Sequence, residues 1–375
     1  MNLAIWDIES SSASTDFGSI IEIGGVLVDE NFKEKDRFNL RCRLPEGEIF
    51  QAMALIVNKT SIKKLTQANL SHYQMLAEVE KIFKKWSPAI FLGWSNIGFD
   101  DEMIRKEFFK GIRYPYLTNA APNKRHDGIN IARAAYAVDP NILEVEFNEK
   151  NNAVFKLESL ARMQGIDSSD AHSALADAEM TAKVLSIVKK KQEHTWNDFL
   201  KTANKSDTET IIKKGDIFTL NEYYYGKSRL HLVVPLHPKY CMHPIYQGWY
   251  YSVDLRTDVE PLLNLSINEL KVEMKKSPKF LRTIRSNKAP IIVDAKFGMK
   301  AEPYNAMDES LIKKRAEIVQ KNEKFSQNIL VALREVAEEK EHSKSQEDIY
   351  AEESIYTKFT SCLLYTSDAA DEHGC

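Results

Sequence analysis

The sequence predicts an α/β domain with a mixed sheet, followed by a small β-rich domain and a helical segment. Three observations support this prediction. Short apolar strands and amphipathic helices follow one another over residues 1–200, beginning in the order β-β-β-α-β-α. From residue 206 the pattern changes to short strands separated by turns. From residue 308 it changes again, to a long amphipathic stretch.

The first strand, NLAIWDIES, is apolar on both faces, which predicts a central strand of the sheet. Residues 1–45 are predicted to form three strands joined by polar turns, and residues 89–94 a fourth. Helices are predicted over 61–86, 100–111, 127–137 and 155–164, with a further helix that begins near Ser173 as its N-cap.

In the second half of the chain, strands are predicted in DIFTL, RLHLVVPL, GWYYSVDL and APIIVDA, with one helix over residues 267–276. Residues 308–340 are predicted to be helical, with an apolar stripe that must be buried against another surface. That stripe contains Ile312, Ile318, Phe325, Ile329 and Leu333.

Composition favours an enzyme of a reducing cytoplasm. The 375 residues suffice for two or three domains, and no apolar stretch approaches the roughly 18 residues of a membrane span, so no membrane partner is expected. The first strand starts at once and carries two acids, so we expect no signal peptide. The four cysteines have no regular spacing: Cys42, Cys241, Cys362 and Cys375. HPKYCMHP, with His237, Cys241 and His243, fits no standard zinc spacing.

Asp7 and Glu9 project side by side from the end of the first strand. Their mutual repulsion is tolerable in a buried element only with a cation between them. Taken alone, a strand that runs into the polar turn SSSASTDFGS explains them better.

Asp177 lies on the apolar stripe of its helix, in line with Met180 and Val184, where a solubilising carboxylate is not expected. His172 is five residues upstream and can meet Asp177 only from the loop before the helix. Taken alone, a half-buried aspartate and a surface histidine remain the simpler interpretation.

The helix predicted over residues 100–111 also carries acids. Asp100 lies near the middle of its apolar arc, whereas Asp101 lies at the edge of the arc and Glu102 points outward. Glu107 also falls on this arc, without an explanation from the sequence. Acids in the first turn of a helix are favoured by its dipole, which explains Asp101 and Glu102 better than Asp100.

Three elements thus direct Asp7, Glu9, Asp100 and Asp177 toward the core, with His172 beside the last. Hard oxygen ligands without a thiolate suit Mg²⁺ or Mn²⁺ rather than zinc. Four carboxylates can hold two ions about 3.5–4 Å apart, as in enzymes that cleave phosphodiesters. A neighbouring histidine is suited to deprotonate the attacking water.

These motifs resemble the DEDD 3′→5′ exonucleases of the subtype with histidine, which have an RNase H-like fold. The resemblance rests on D-I-E at 7–9, IIEIGG at 20–25, N-I-G-F-D at 96–100 and H-S-A-L-A-D at 172–177. It implies that the four acids bind two Mg²⁺ ions, for which Mn²⁺ can substitute, and that His172 is the general base. Ser10, where the family usually has threonine, would help to position the 3′ end.

Similarity to the bacterial exonuclease I family extends to about Ser361, through segments such as FKLESLARMQGI and SNKAPII. It implies an exonuclease domain over 1–200, an SH3-like domain over 206–295 and the start of a C-terminal helical domain over 300–361. The implied activity is hydrolysis of single-stranded DNA from the 3′ end, releasing 5′-mononucleotides in repair and recombination. We expect a monomer, with a single-stranded DNA-binding protein as a candidate partner.

Two other functions stay open. An RNA-directed 3′→5′ exonuclease such as an oligoribonuclease shares the acids but lacks the second half of the chain. A catalytically weak single-strand-binding protein would be expected to have lost acids, and here each acid position is filled.

YYYGKSR, within the β-rich region, places aromatic rings beside cations at a turn. Tyr225, Lys227 and Arg229 are therefore candidate contacts for single-stranded DNA. An equally good interpretation places alternate tyrosines in the core. In that interpretation the two cations are solvated charges of the hairpin.

The last residues differ in character from the rest. CLLYTSDAADE, at 362–372, resembles a translated transposase adapter of the kind used in sequencing-library preparation. We therefore expect residues 362–375 not to belong to the protein, the alternative being a real disordered tail. Members of the exonuclease I family continue past IYTKF into further helices, so we expect the stripe of residues 308–340 to be underpacked here.

Overall fold

The computed structural model describes residues 1–169 and 172–343. Met1–Val336 form one compact unit. A second unit begins at Ala337, and only the end of one helix of it is described. Within the described residues, no helix is both long enough and apolar enough to cross a lipid bilayer.

The first sheet has five strands in the order β3-β2-β1-β4-β5. Their bounds are β1 Asn2–Ser10, β2 Ile20–Val28, β3 Glu34–Arg41, β4 Ala89–Gly93 and β5 Lys124–Asp127. β1 pairs antiparallel with β2 and parallel with β4, so the sheet is mixed and β1 is central, as predicted. β5, with the sequence KRHD, was not predicted because it lacks both alternation and apolar residues.

Eight helices accompany this sheet in the described residues. They are α1 Ala52–Val57, α2 Ile62–Thr66, α3 His72–Trp86, α4 Asp100–Lys110, α5 Gly128–Val138, α6 Leu157–Met163, α7 Ala174–Lys191 and α8 Glu193–Leu200. Because side chains alternate along a strand, Leu3 and Ile5 of β1 face α5–α8, whereas Ala4 and Trp6 face α3 and α4. The predicted helices from residue 100 onward therefore cover both faces of the sheet.

A second sheet follows, with all its pairings antiparallel and the strand order β10-β6-β7-β8-β9. The bounds are β6 Phe218–Tyr224, β7 Lys227–Pro235, β8 Trp249–Asp254, β9 Leu281–Arg285 and β10 Ile291–Val293. Its helices are α9 Lys205–Lys213, α10 Ile267–Glu273, α11 Ala295–Met299, α12 Glu309–Lys321 and α13 Glu323–Ser343. The domain boundary predicted at residue 206 falls within α9, whose N-cap Asn204 accepts a hydrogen bond from the backbone of Asp207.

The prediction that the stripe of residues 308–340 is underpacked is wrong. Ile312, Phe325 and Ile329 are fully buried in the core of the second sheet, and Ile318 and Leu333 pack against the same core. The stripe needed a partner within the chain, and the second sheet with its helices provides one. The predictions for residues 344–361 and for the tail over 362–375 lie outside the described residues.

The two sheets are joined through specific contacts. The guanidinium carbon of Arg133 on α5 lies 3.6 Å from the centre of the Tyr223 ring on β6. The Phe155 ring lies 6.4 Å from the same ring, edge-on. The Thr202 hydroxyl, just after α8, donates to the carbonyl of Pro290 before β10. The second sheet is therefore packed on the helical layer of the first.

Candidate active site

Asp7 and Glu9 stand at the end of β1, on the same side of the strand. Asp7 lies opposite Gly24 of β2, and Glu9 lies opposite Glu22. The regular register ends immediately after Glu9, where the pairing shifts before Ser10. The two carboxylates therefore project at the point where the central strand leaves the sheet.

Gly24 is what allows a third acid to reach them. A Cβ at this position would lie 2.3 Å from the backbone nitrogen of Leu175, in the first turn of α7. No real Cβ contact is that short, so only glycine lets α7 lie directly on β2. This close approach positions the N-terminal turn of α7, with Asp177, over the end of β1.

His172 lies on the loop before α7, as the sequence predicted. Its backbone has a φ of 72°, in the left-handed region, and its N–H lies 3.4 Å from Oδ1 of Asp177 as a long hydrogen bond. The helix begins at Ala174 after Ser173, again as predicted. The Ser173 hydroxyl makes no capping bond and instead donates to Oε1 of Glu22 at 3.3 Å.

Carboxylate oxygens of Asp7, Glu9 and Asp177 all lie within 4.8 Å of one another. Glu9 is buried, whereas the other two are partly exposed. Asp100 begins α4 beside this group, where the backbone N–H groups of Ile8 and of Asp100 itself partly offset the rise of its pKa on burial. Its charge is also the strongest of the neighbouring charges that act on Asp7. Three of the four predicted acids thus meet directly, and the fourth borders them.

Each of these acids resists ionisation in the metal-free protein. Burial, followed by repulsion from Asp177, raises the pKa of Glu9 from 4.5 to about 8. Burial raises the pKa of Asp100 to about 8 as well, and it also raises the pKa of Asp177. The pKa of Asp7 is raised well above its ordinary value by burial and then by the charge of Asp100. The positive charge of Arg41 lowers the pKa of Glu9, but by less than burial and the neighbouring acids raise it.

The donor set fits a divalent cation of the hard class. All the convergent ligand atoms are carboxylate oxygens, which Mg²⁺ and Mn²⁺ prefer. A bound cation would restore the ordinary ionisation of the acids by neutralising their repulsion. This group is also the one cluster of three or more metal-ligating side chains found among the described residues.

The HPKYCMHP segment does not form such a cluster. The Cys241 thiol donates to the carbonyl of Pro238, and Nδ1 of His243 accepts the backbone N–H of Ile245 at 3.0 Å. Nδ1 of His237 accepts from the backbone of Lys239. These groups serve local turns.

Two acids of α4 differ from their predicted surroundings. Asp101 was predicted to lie at the edge of the apolar arc, but it is buried and accepts hydrogen bonds from Asn96 at 3.0 Å and Thr118 at 3.2 Å. Burial raises its pKa to about 6, although the charge of Arg125 opposes this. Glu107 lies 2.9 Å from Nε2 of His72, which explains an acid on the apolar arc.

The sequence analysis missed two features beside the acids. Glu22 is buried across from Glu9 and is paired with Arg41 of β3; an acid inside the apolar strand IIEIGGVLV was a signal for it. Next to the site, α1 exposes Met53, Ile56 and Val57, an apolar face that a periodicity analysis would assign to a core.

Ser10 is buried, and its hydroxyl donates to the carbonyl of Ser12 at 2.8 Å. Its own carbonyl accepts from Nδ2 of Asn58, the residue that ends α1, also at 2.8 Å. Gln51, at the other end of α1, donates its backbone N–H to the carbonyl of Ser11 at 2.8 Å. Ser10 therefore sits in the connection between the acids and α1.

Tyr225, Lys227 and Arg229 lie on the hairpin between β6 and β7. Tyr225 occupies the turn and is 89% exposed. The Arg229 guanidinium carbon lies 4.3 Å from the centre of the Tyr224 ring. A Cβ at Gly226 would lie 2.4 Å from Nδ2 of Asn152, so this turn contacts the first domain.

The RNase T family model, described as an exonuclease, matches residues 5–185. This stretch contains the four acids and His172. The N-terminal region is therefore similar to this exonuclease family. Exodeoxyribonuclease I of Haemophilus influenzae is 25% identical over 310 residues, which cover 78% of this chain and 64% of that protein. The chain is thus exonuclease I-like beyond its nuclease domain, and it spans less than two thirds of this relative's length.

Solved structures give the same fold. Escherichia coli exonuclease I in complex with a dT13 oligonucleotide superposes with a TM-score of 0.76 at 19% identity, over 100% of this chain and 81% of that one. An SSB/exonuclease I structure in complex with an inhibitor has a TM-score of 0.74 at 20% identity. The match covers 96% of this chain and 77% of that chain. The RNase H-like nuclease fold is therefore confirmed, whereas the SH3-like class of the second sheet stays a prediction.

Proposed function

We propose that this protein hydrolyses single-stranded DNA from its 3′ end and releases 5′-mononucleotides, in DNA repair and recombination. The observation that carries the proposal is the convergence of Asp7, Glu9 and Asp177, with Asp100 at its border. The exonuclease family match over residues 5–185 supports the reaction class. The similarity to exodeoxyribonuclease I, which extends beyond that domain, supports DNA as the substrate.

Two Mg²⁺ ions held by the four acids, with Mn²⁺ able to replace them, would stabilise the charge that develops on the phosphodiester oxygens. An imidazole nitrogen of His172, on the loop beside Asp177, takes a proton from the attacking water. The water oxygen forms the new bond to phosphorus, and the bond to the 3′ oxygen of the preceding nucleotide breaks. The terminal nucleotide leaves with its phosphate on the 5′ side.

The apolar face of α1 supplies a surface for the terminal base. Met53, Ile56 and Val57 are exposed on a helix that is tied to the end of β1 through Asn58 and Ser10. A base has an apolar face and gains from leaving water. We therefore assign Ser10 to the backbone connection that positions the 3′ end rather than to a free hydroxyl.

Tyr225, Lys227 and Arg229 of the β6–β7 hairpin are proposed to contact the strand further from its end. The exposed Tyr225 ring offers a stacking surface, and the two cations suit backbone phosphates. A single-stranded DNA-binding protein is the proposed partner, supported by the likeness to the SSB/exonuclease I structure. The monomeric state stays a prediction.

The cytoplasm is the proposed location. Cys42 and Cys241 are buried free thiols, which suits a reducing compartment.

The proposal is tested with DNA and RNA 20-mers of one sequence, each labelled at the 5′ end, incubated with Mg²⁺ or with EDTA. We expect the DNA to shorten by single nucleotides from its 3′ end with Mg²⁺, and no cleavage in EDTA. A DNA 20-mer with a 3′-phosphate serves as the end-specificity control. Preferential cleavage of RNA would favour the oligoribonuclease alternative, and binding without cleavage would favour a single-strand-binding protein.

A further inference from the structure

Lys59, the residue after the C-cap of α1, has a backbone conformation that favours glycine. Its φ is 50°, in the left-handed region. The N–H of Thr60 donates to the carbonyl of Leu55 at 2.9 Å, and the N–H of Lys59 donates to that of Ile56 at 3.2 Å. These two bonds define a Schellman motif, in which the left-handed residue is usually glycine. Gly165 has this place in the same motif at the end of α6.

A lysine at this position carries a cost that glycine avoids. In the left-handed conformation the Cβ of an L-residue comes too close to the following carbonyl oxygen. The Lys59 side chain is exposed, so packing in the core does not compensate for this cost. Non-glycine residues in this conformation concentrate at functional sites. The conformation therefore points to a use for the Lys59 ammonium group.

Lys59 is held beside the acids of the candidate active site. Nδ2 of Asn58, the preceding residue, donates to the carbonyl of Ser10 at 2.8 Å, and Ser10 directly follows Glu9. Neighbouring Cα atoms are about 3.8 Å apart, so the bond that fixes Asn58 also fixes the backbone of Lys59. The positive charge of Lys59 acts on the carboxylate of Asp177 and lowers its pKa, against the larger effect of burial. The ammonium group therefore lies within the electrostatic field of the acids.

Arg41 also acts on the acids, but its guanidinium is engaged elsewhere. Its charge lowers the pKa of Glu9, and it is paired with Glu22, which is buried in β2. Lys59 by contrast is on the exposed surface at the end of α1. Of these two cations, Lys59 is the one placed to meet a substrate.

The proposed reaction needs additional positive charge beside the acids. The charges of the four acids would be cancelled by two divalent cations, and the phosphodiester adds one negative charge. That charge grows while the water oxygen forms its bond to phosphorus, because the proton of the water leaves to His172. A cation at the phosphoryl oxygens is therefore attracted more strongly in the transition state than in the substrate complex. Such an interaction raises kcat.

We propose that Lys59 is a further catalytic residue, whose ammonium group contacts a non-bridging oxygen of the phosphodiester that is cleaved. The contact stabilises the negative charge that develops on this oxygen. The inference rests on the proposed function and adds to it a residue outside the four acids and His172.

The test replaces Lys59 with glycine, the residue that the backbone favours. On 5′-labelled dT20 with Mg²⁺, Lys59→Gly is expected to lower kcat by about tenfold or more, with a change in KM of less than about threefold. In EDTA the Kd for dT20 should also change by less than about threefold. The Tm in EDTA should rise by about 1–2 °C, because the strain of the left-handed backbone is removed. Loss of rate without loss of stability or binding is what a catalytic role requires.

Ile112 is the matched control for the backbone. It has the same place at the end of α4, with a φ of 55°, and the N–H of Arg113 donates to the carbonyl of Phe108 at 2.7 Å. Its uncharged side chain is 97% exposed. Along the helix it lies about 18 Å from Asp100. Ile112→Gly should therefore raise the Tm at least as much as Lys59→Gly and leave kcat unchanged.

Two further variants test the charge. Lys59→Arg keeps a cation at the same position, so its kcat should stay within about threefold of the wild type. Lys64→Gln removes an exposed lysine of α2 and should change neither kcat nor Tm.

The inference is wrong if Lys59→Gly keeps the kcat of the wild type, or if Lys59→Arg loses as much rate as Lys59→Gly. A Tm of Lys59→Gly that falls together with kcat would show a structural role and would also overturn it. Failure of the proposed function is recognised separately. A wild type that leaves DNA intact with Mg²⁺ refutes the activity and this inference with it, whereas an active wild type and an equally active Lys59→Gly refute the inference alone.

Discussion

Replacing Glu9 with glutamine is expected to flatten the pH dependence of stability of the metal-free protein. Glu9 is buried against Asp177, Asp100 and Glu22, and its pKa rises from 4.5 to about 8 in the folded state. A carboxyl whose pKa is raised by folding stabilises the folded state while it is protonated. That contribution is complete below pH 4.5 and disappears as the pH rises through about 8.

The size of the effect follows from the interval between the two pKa values. Each pH unit in that interval changes the free energy of unfolding by about 1.4 kcal/mol, so Glu9 alone accounts for at most about 5 kcal/mol. Relaxation of the neighbouring acids will reduce this to a few kcal/mol. The amide in Glu9→Gln does not ionise, so the variant lacks this part of the pH dependence.

The assay is urea unfolding at pH 5 and at pH 8 in EDTA, followed by circular dichroism. The free energy of unfolding of the wild type should fall by several kcal/mol from pH 5 to pH 8. That of Glu9→Gln should fall markedly less. Glu149→Gln, at an exposed turn, is the matched control and should behave like the wild type. Adding Mg²⁺ at pH 8 should restore the free energy of unfolding of the wild type. Equal losses in wild type and Glu9→Gln would refute the account of a strained acid cluster.

Three other variants test individual positions of the site. His172→Ala should lower turnover on DNA by about 10²–10⁴-fold with little change in Tm, since a general base acts on rate; near-normal turnover would leave it a surface histidine. Gly24→Ala should destabilise the fold by about 1–3 kcal/mol and reduce turnover, because α7 must move away from β2; Gly98→Ala, where nothing lies within 4 Å of the added Cβ, is the control. Asp177→Asn should abolish turnover but raise the Tm in EDTA, because burial raises the pKa of this acid; a lower Tm would indicate a structural role.

The elements that carry the acids could be predicted because their patterns are local. β1 is apolar on both faces, so its central place follows from alternation alone, and Asp7 and Glu9 follow from their spacing. The start of α7 followed from the misplaced Asp177 and from the geometric requirement that His172 lie on the loop. Each of these arguments uses fewer than twenty consecutive residues.

The remaining features depend on contacts between distant segments. Gly24 permits the approach of α7 from 150 residues away, and no local pattern distinguishes it from a glycine that merely weakens a strand. Asp101 at the edge of an apolar arc is buried because Asn96, Thr118 and Arg125 reach it. The surface that buries the apolar stripe of residues 308–340 could not be predicted, because that surface is the second sheet and its helices.

The central claim is that the acids on β1, α4 and α7 form a site for divalent cations. A crystal of the full chain soaked in Mn²⁺ and measured for anomalous scattering tests it most directly. We expect anomalous peaks about 2–2.5 Å from carboxylate oxygens of Asp7, Glu9 and Asp177. A fully occupied Mn²⁺ peak elsewhere in the molecule, with none among these three carboxylates, would contradict the account.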